Sequence, residues 1–391
     1  MKKFLAMLLV LAMALSLCAC GGGDRDNEDG TYRIALVTGL NDITDQSFNQ
    51  ATWEALERFS GEYSSDIKYY MPISDDNSAR IAATERAIAD GYDVIVFPGY
   101  THGATIAEVS ELYPHVKFIA LDVAKADILS AALANRGIAY DNNPDNYELT
   151  DYVYMDNVYC ATYQEQISGY MAGYAAVKLG YTKLGYLGGM AVPSVMRFGY
   201  GFIHGADAAA QELGIKVEMK YAYANQFWGD ADITAVMDTW YGNGTEVVFS
   251  CGAAIWTSVA EAAKKAGGKI IGVDVDQAPV IDKDYGTGIT LTSATKGLAP
   301  TTYHTLVEVL VKDNWTAYAG KIEALGIVSK EPGENYVQLA ESTLFEEGKF
   351  SREDYVNMVS ALYDGTITVS GDLSAEPTPA NVDMKWLGNI K

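Results

Sequence analysis

The stretch Ile270-Ile271-Gly272-Val273-Asp274-Val275-Asp276-Gln277 puts two carboxylates and an amide where an apolar strand must end. In open α/β sheets ligands bind outside the carboxyl ends of the strands, so an acid at that point can face a ligand and accept its hydroxyl or N–H protons. The plainer role for such an acid is to cap a strand-to-loop turn, and Asp274 alone leaves both roles open. Bond-breaking chemistry has less support. His102, His115, His204 and His304 are scattered, with no His-Glu-x-x-His pairing for a metal. Neither Gly-x-Ser-x-Gly nor the P-loop spacing occurs. Gly199-Tyr200-Gly201 followed by Gly205 approaches a dinucleotide fingerprint, but no strand leads directly into it, so these glycines are expected to be close-packing positions in a helix. Binding without a metal, a cofactor or catalysis is the expectation.

Such residues need a frame. At 391 residues the chain is too long for one ordinary core, and about 100–200 residues per domain suggests two. A hydrophobic fraction of 49% with 20% charged residues describes a globular protein and excludes a disordered one. A net charge of −23 repels phosphate backbones, which argues against nucleic-acid partners.

The first 20 residues look like an export signal. Lys2 and Lys3 precede an apolar run from Phe4 to Leu17 that falls short of the roughly 20 residues a membrane span needs. Leu17-Cys18-Ala19-Cys20-Gly21 resembles a bacterial lipobox, with Cys20 the acylated residue because small Ala19 precedes it. Two lipid chains on Cys20 would hold the protein at the outer face of a cell membrane. Residues 21–30 (GGGDRDNEDG) contain no apolar side chain and form a flexible tether. Cys160 and Cys251 remain, and spacing alone does not decide whether they pair.

From Tyr32 onward strands alternate with helices. Strands are expected at Tyr32 to Thr38, Ile67 to Pro72, Val94 to Pro98 and Val116 to Leu121, with helices from Ser47, Asn77 and Ala104. After the turn-rich Asn142-Asn143-Pro144-Asp145-Asn146 the pattern restarts, with strands at Val153 to Asp156, Leu184 to Leu187, Val217 to Tyr223, Val247 to Cys251 and Lys269 to Val273. Helices are expected between these strands at Tyr163 to Leu179, Phe198 to Leu213, Asp230 to Tyr241 and Ile255 to Ala266. Beyond them come a strand at Gly288 to Ser293, a helix at Leu298 to Lys312, a β segment at Lys321 to Val328 and a helix at Glu353 to Tyr363. The fold class is α/β: two doubly wound parallel-sheet lobes joined by a multi-strand hinge. The first lobe is assigned residues 31–150 and 288–320, and the second 151–287 and 321–391.

Five motifs in register carry a family resemblance. Asp45-Gln46-Ser47-Phe48-Asn49-Gln50-x-x-Trp53, Leu187-Gly188-Gly189-Met190-x-x-Pro193-x-Val195, Gly201-Phe202-x-x-Gly205-Ala206, Gly272-Val273-Asp274-Val275-Asp276-Gln277 and Thr292-Ser293-x-x-Lys296 resemble the basic membrane protein family. That resemblance implies a lipoprotein of the periplasmic-binding-protein type I fold, a nucleoside receptor of an ABC importer. It further implies an aromatic sandwich on the base, with Trp53 from the first lobe and either Phe227 or Trp228 from the second. Asp45 and Asn49 match ligand-touching positions, Asp122 an acid that reads the base, Gly252 a close approach of backbone, and Asp274 with Lys296 the ribose-binding pair. Thr44 and Gln46 depart from the acid and lysine common in relatives.

The chemistry is consistent with that implication. A nucleoside offers a flat π face and a vicinal diol, stacking on an aromatic is worth about 1–3 kcal/mol per base, and an ionised Asp can accept both diol protons while Lys296 offsets its charge. Simpler roles exist for each residue: core packing for Trp53, helix capping for Asp45 and Asn49, solvation for Lys296. The expected function is capture of a nucleoside, a purine nucleoside by preference, by a monomer that delivers it to an ABC permease and its ATPase. A sugar receptor of the same fold, a surface receptor or adhesin, and a nucleoside-cleaving enzyme are the alternatives.

Overall fold

The computed structural model describes residues 30–390, so Cys20 and the leader and tether expected before Gly30 lie outside the described residues. The apolar runs become strands buried on both faces, as parallel sheets flanked by helices require. Val94–Pro98 and Val247–Cys251 are buried at every position.

The first sheet holds six strands, all paired in parallel: β1 (Tyr32–Val37), β2 (Ser65–Tyr70), β3 (Val94–Pro98), β4 (Lys117–Leu121), β5 (Val158–Tyr163) and β11 (Ile322–Leu325), in the order β11-β5-β4-β3-β1-β2. Helices α1 (Phe48–Glu62), α2 (Asn77–Ala89), α3 (His102–Leu112) and α4 (Lys125–Asn135) connect its strands. The second sheet runs β12-β10-β9-β8-β6-β7-β13. Its members are β6 (Lys183–Gly188), β7 (Val217–Tyr223), β8 (Val247–Cys251), β9 (Lys269–Asp274), β10 (Thr290–Lys296), β12 (Val337–Leu339) and β13 (Val382–Asn389). All pair in parallel except β12, which runs antiparallel to β10. Its helices are α5 (Glu165–Lys178), α6 (Pro193–Leu213), α7 (Ala231–Gly242), α8 (Trp256–Ala266) and α9 (Ala278–Tyr285).

Helices α5 and α6 pack with backbones nearly touching. A Cβ added at Gly201 would sit 2.1 Å from the Gln166 carbonyl oxygen, and one at Gly205 1.9 Å from that of Tyr170, so only glycine fits. The near-fingerprint glycines are packing positions, as their placement inside a helix suggested.

Several boundaries differ from the expected ones. The strand expected at Val153 to Asp156 lies at β5, after Asn157, whose amide donates to the carbonyls of Ser110, Tyr113 and Val116 and fixes the turn before it. β5 pairs with β4, so the first lobe extends past residue 150 to Tyr163. The assignment of 288–320 to the first lobe and 321–391 to the second is corrected in part. β10 pairs with β9 in the second sheet, and β11 pairs with β5 in the first. Only the segment after β10 returns to the first lobe, where α10 (Leu298–Leu306) buries Leu298 and Leu306 in its core. A strand's apolar pattern states that it is buried, not which of two sheet edges receives it. The chain therefore crosses between lobes at 163–165, at 296–298 and between Leu325 and Val337. α4, α9, β12 and β13 had no counterpart in the expected list.

Candidate functional site

β9 buries Ile270, Ile271, Gly272 and Val273 and delivers Asp274 at its carboxyl end with φ +66°. Asp122 follows β4 with φ +61°. The left-handed region is uncommon for residues with a Cβ, and Asp and Asn tolerate it best. Both sheets thus turn sharply at an acid that projects into the same space.

That space is a cavity of about 190 Å³ between the lobes, below the roughly 300–1,000 Å³ of drug-sized sites and suited to a small metabolite. Asp45, Ser47, Phe48, Asn49, Tyr100 and Asp122 line it from the first lobe. Phe198, Phe227, Gly252, Asp274 and Lys296 line it from the second.

Lys296, the last residue of β10, is the electrostatic centre. Its ammonium lies 2.8 Å from an oxygen of Asp122, 3.3 Å from Glu165 and 3.9 Å from Asp274, with only 2% of the side chain exposed. Burial pulls the ammonium's pKa down, but the three carboxylates outweigh it and the net shift is upward, so Lys296 stays charged. Asp274 moves up to about 6, chiefly because burial disfavours its charge and only secondarily opposed by Lys296. The ammonium also lies 4.8 Å from the centre of the Phe48 ring and 5.4 Å from that of Phe198. A carboxylate pair and an ammonium among aromatic rings can hold hydroxyls and a flat ring together.

Asp45 and Asn49 line the cavity while also building its wall. Asp45 accepts the backbone N–H groups of Ser47, Asn49 and Gln50, which caps α1. Burial nonetheless raises its pKa against those hydrogen bonds. Asn49 accepts from the Gly39 N–H and donates to the Asn41 carbonyl, tying down the loop at the cleft edge.

Trp53 does not line the cavity, and its expected stacking role is corrected. Its indole packs edge-on against Tyr69 at 5.5 Å, within the cluster between α1 and the first sheet. Phe48, at the first position of α1, takes the place in the cleft wall. Between the second-lobe candidates, Phe227 faces the cavity while Trp228 is 61% exposed outside it. Phe227 packs on bare backbone: a Cβ at Gly189 would come within 2.4 Å of its ring and one at Gly252 within 3.0 Å. Gly252 therefore seats the aromatic as well as lining the site.

Sequence reasoning missed Phe48, Ser47, Glu165 and Arg197. Phe48 stood inside the quoted Asp45-to-Gln50 motif, overshadowed by the larger indole. Glu165 follows β5 by two residues, close to the strand-end placement that marked Asp274. Cys160 and Cys251 are both free and buried, one in each sheet.

A cleft between two doubly wound lobes, lined from both by strand-end side chains, is the periplasmic-binding-protein type I architecture. A solved ABC transporter solute-binding protein from Aeropyrum pernix K1 superposes with a TM-score of 0.61 at 20% identity, over 86% of this chain and 87% of that one. Residues 34–344 match the model of the Bmp family, PnrA-like ABC transporter substrate-binding proteins, and the chain belongs to that family. It is 28% identical over 258 residues to the ABC transporter nucleoside-binding protein BmpA of Lactococcus lactis, covering 63% of this chain and 64% of that protein, just under two-thirds of its length. It is also 28% identical over 316 residues to Basic membrane protein B of Borreliella afzelii, covering 77% and 80%.

Proposed function

We propose that the cleft captures a nucleoside, with purine nucleosides preferred, and that the closed, loaded protein delivers it to its ABC permease. The observation carrying this reading is that Phe48 and Phe227, from opposite lobes, share one cavity with the Asp122–Lys296–Asp274 cluster. The rings supply stacking faces for a base, and the Asp274 carboxylate accepts the two protons of a ribose diol while Lys296 donates to a sugar or ring oxygen. The nucleoside-binding name of the Lactococcus relative supports the same ligand class.

Capture is by hinge closure. The three crossings let the lobes rotate about the site, and a ligand contacting both walls shifts the population toward the closed form. The Cys20 motif supports anchoring of the monomer to the outer face of the membrane, and among the described residues no helix is long and apolar enough to cross one. Binding proceeds without turnover.

Calorimetric titration with inosine, adenosine, guanosine, cytidine and ribose tests this reading. Purine nucleosides should bind at least about 100-fold more tightly than ribose, the factor that two stacking faces supply. Ribose binding as tightly as inosine would turn the assignment to a sugar receptor, and free base released from inosine would turn it to an enzyme.

A further inference from the structure

Glu165 is fully buried, yet it does not line the cavity. It sits at the first crossing, two residues after the end of β5 in the first sheet, and opens α5 in the second lobe. Lys296 ends β10 at the second crossing. A buried carboxylate persists only when paired, and the two oxygens of Glu165 are divided between two cations. Oε2 accepts from Arg197 Nε at 2.5 Å, and Oε1 lies 3.3 Å from the Lys296 ammonium as an ion pair without hydrogen-bond alignment. Arg197 stands on α6, and the glycine-mediated approach of α5 to α6 brings its guanidinium within reach.

We propose that Glu165 and Arg197 form a positioning couple that holds the Lys296 ammonium between Asp122 of the first lobe and Asp274 of the second. This rests on the nucleoside reading of the same site, which it deepens. A lysine carries a compact charge on a flexible stem and, left to two carboxylates, swings to whichever is nearer. Here the nearer one, Asp122, belongs to the opposite lobe from β10, which hinge closure would displace relative to it. Glu165 supplies a third anchor at the pivot, where lobe rotation displaces atoms least. The Arg197 fork fixes that anchor's orientation. Burial of Arg197 works against its charge, but the charge and hydrogen bond of Glu165, together with the charges of Asp122 and Asp127, outweigh it, so the guanidinium stays charged. The ammonium is thereby preset for a ligand's polar group before closure.

The test uses wild type, E165Q, K296Q and the double variant E165Q/K296Q, titrated calorimetrically with inosine up to millimolar concentration, together with a crystal structure of ligand-free E165Q. E165Q should weaken inosine binding by about 10- to 100-fold, the loss typical of outer-shell partners. It should cause no further loss in the K296Q background, and the Lys296 ammonium in the E165Q crystal should shift by about 1 Å or more. An unmoved ammonium, or an equal E165Q loss in both backgrounds, overturns the proposal. If E165Q does not fold, ligand-free R197Q must show the same displacement. If wild type fails to bind inosine, the nucleoside reading falls, and the position of the ammonium in the variant crystal still decides the positioning role.

Discussion

The Ser47 hydroxyl donates to Asp274 Oδ2 across the cleft at 3.1 Å, joining residues 227 positions apart and in different lobes. Ser47 is the N-cap residue of α1, but its hydroxyl makes no capping bond, since Asp45 takes that task. The hydroxyl is therefore free to fasten the lobes. S47A should open the ligand-free protein, seen as a larger radius of gyration by small-angle scattering. It should weaken nucleoside binding by no more than the roughly 1.5–3 kcal/mol of a hydrogen bond to a charged group.

Removing the central cation should be more costly. K296M leaves Asp122, Glu165 and Asp274 buried around a neutral side chain. A loss of about 3–5 kcal/mol of folding stability is expected, read from denaturant or thermal melts, along with nucleoside binding weakened by about 100-fold or more yet still measurable at millimolar ligand.

The aromatic assignments separate cleanly by variant. F48A and F227A should each weaken nucleoside binding by about 1–3 kcal/mol, the value of one stacked base face. W53A and W228A should leave binding within about twofold, with W53A lowering stability because the Tyr69 contact is lost.

Acid should loosen the ligand while favouring the empty fold. The Asp274 value of about 6 lies above its ordinary 3.8, so protonation of this residue stabilises the ligand-free protein. That contribution is complete below about pH 4 and is lost as pH rises through 6. Asp127, raised to about 7 chiefly by burial, contributes with the same sign but does not line the cavity. Ligand capture has the opposite sign, because the carboxylate, not the acid, accepts both diol protons. Affinity should be level above about pH 7 and fall up to about tenfold per unit below pH 6, and D274N should abolish that dependence. An affinity independent of pH between 4.5 and 7.5 in the wild type would show that Asp274 does not hold the ligand.

The carboxyl-terminal segment lies beyond the family match, which ends at residue 344. It includes α11 (Arg352–Tyr363) and returns along α6, where the Asn381 N–H donates to Asp207, before adding β13 to the edge of the second sheet beside β7. Trp386 packs on Tyr221 with ring centroids 4.6 Å apart. W386A should lower stability by roughly 1–2 kcal/mol, less than a fully buried tryptophan, and leave nucleoside affinity unchanged.

The charged half of the site was legible in part because some of its chemistry is tied to strand ends. Asp274 closes an apolar run that the sequence marks as a strand and Asp122 directly follows one, but Asp122 and Lys296 are singled out by the family resemblance, and Lys296 ends the polar stretch Thr290–Lys296, which carries no such signal. Phe48 was not legible by size. Trp53 is the larger ring, but five residues along a helix turn it roughly 140° from Phe48, so the two cannot face one cavity. Glu165 escaped because an acid in a first helical turn is ordinary on the surface, and only the fold shows that this one is enclosed. Lobe membership of β5, β10 and β11 was hidden for a related reason: buried strands look alike in sequence whichever sheet they join. β13 did carry a signal, the alternation of Val382, Met384 and Trp386 with polar residues, placed where no further lobe element was sought.

A crystal structure with inosine bears most directly on the central claim. The base should lie between the rings of Phe48 and Phe227, with the ribose hydroxyls on Asp274 and the Lys296 ammonium within hydrogen-bond distance of the ligand. A base lodged elsewhere, or a ribose turned away from Asp274, would contradict it.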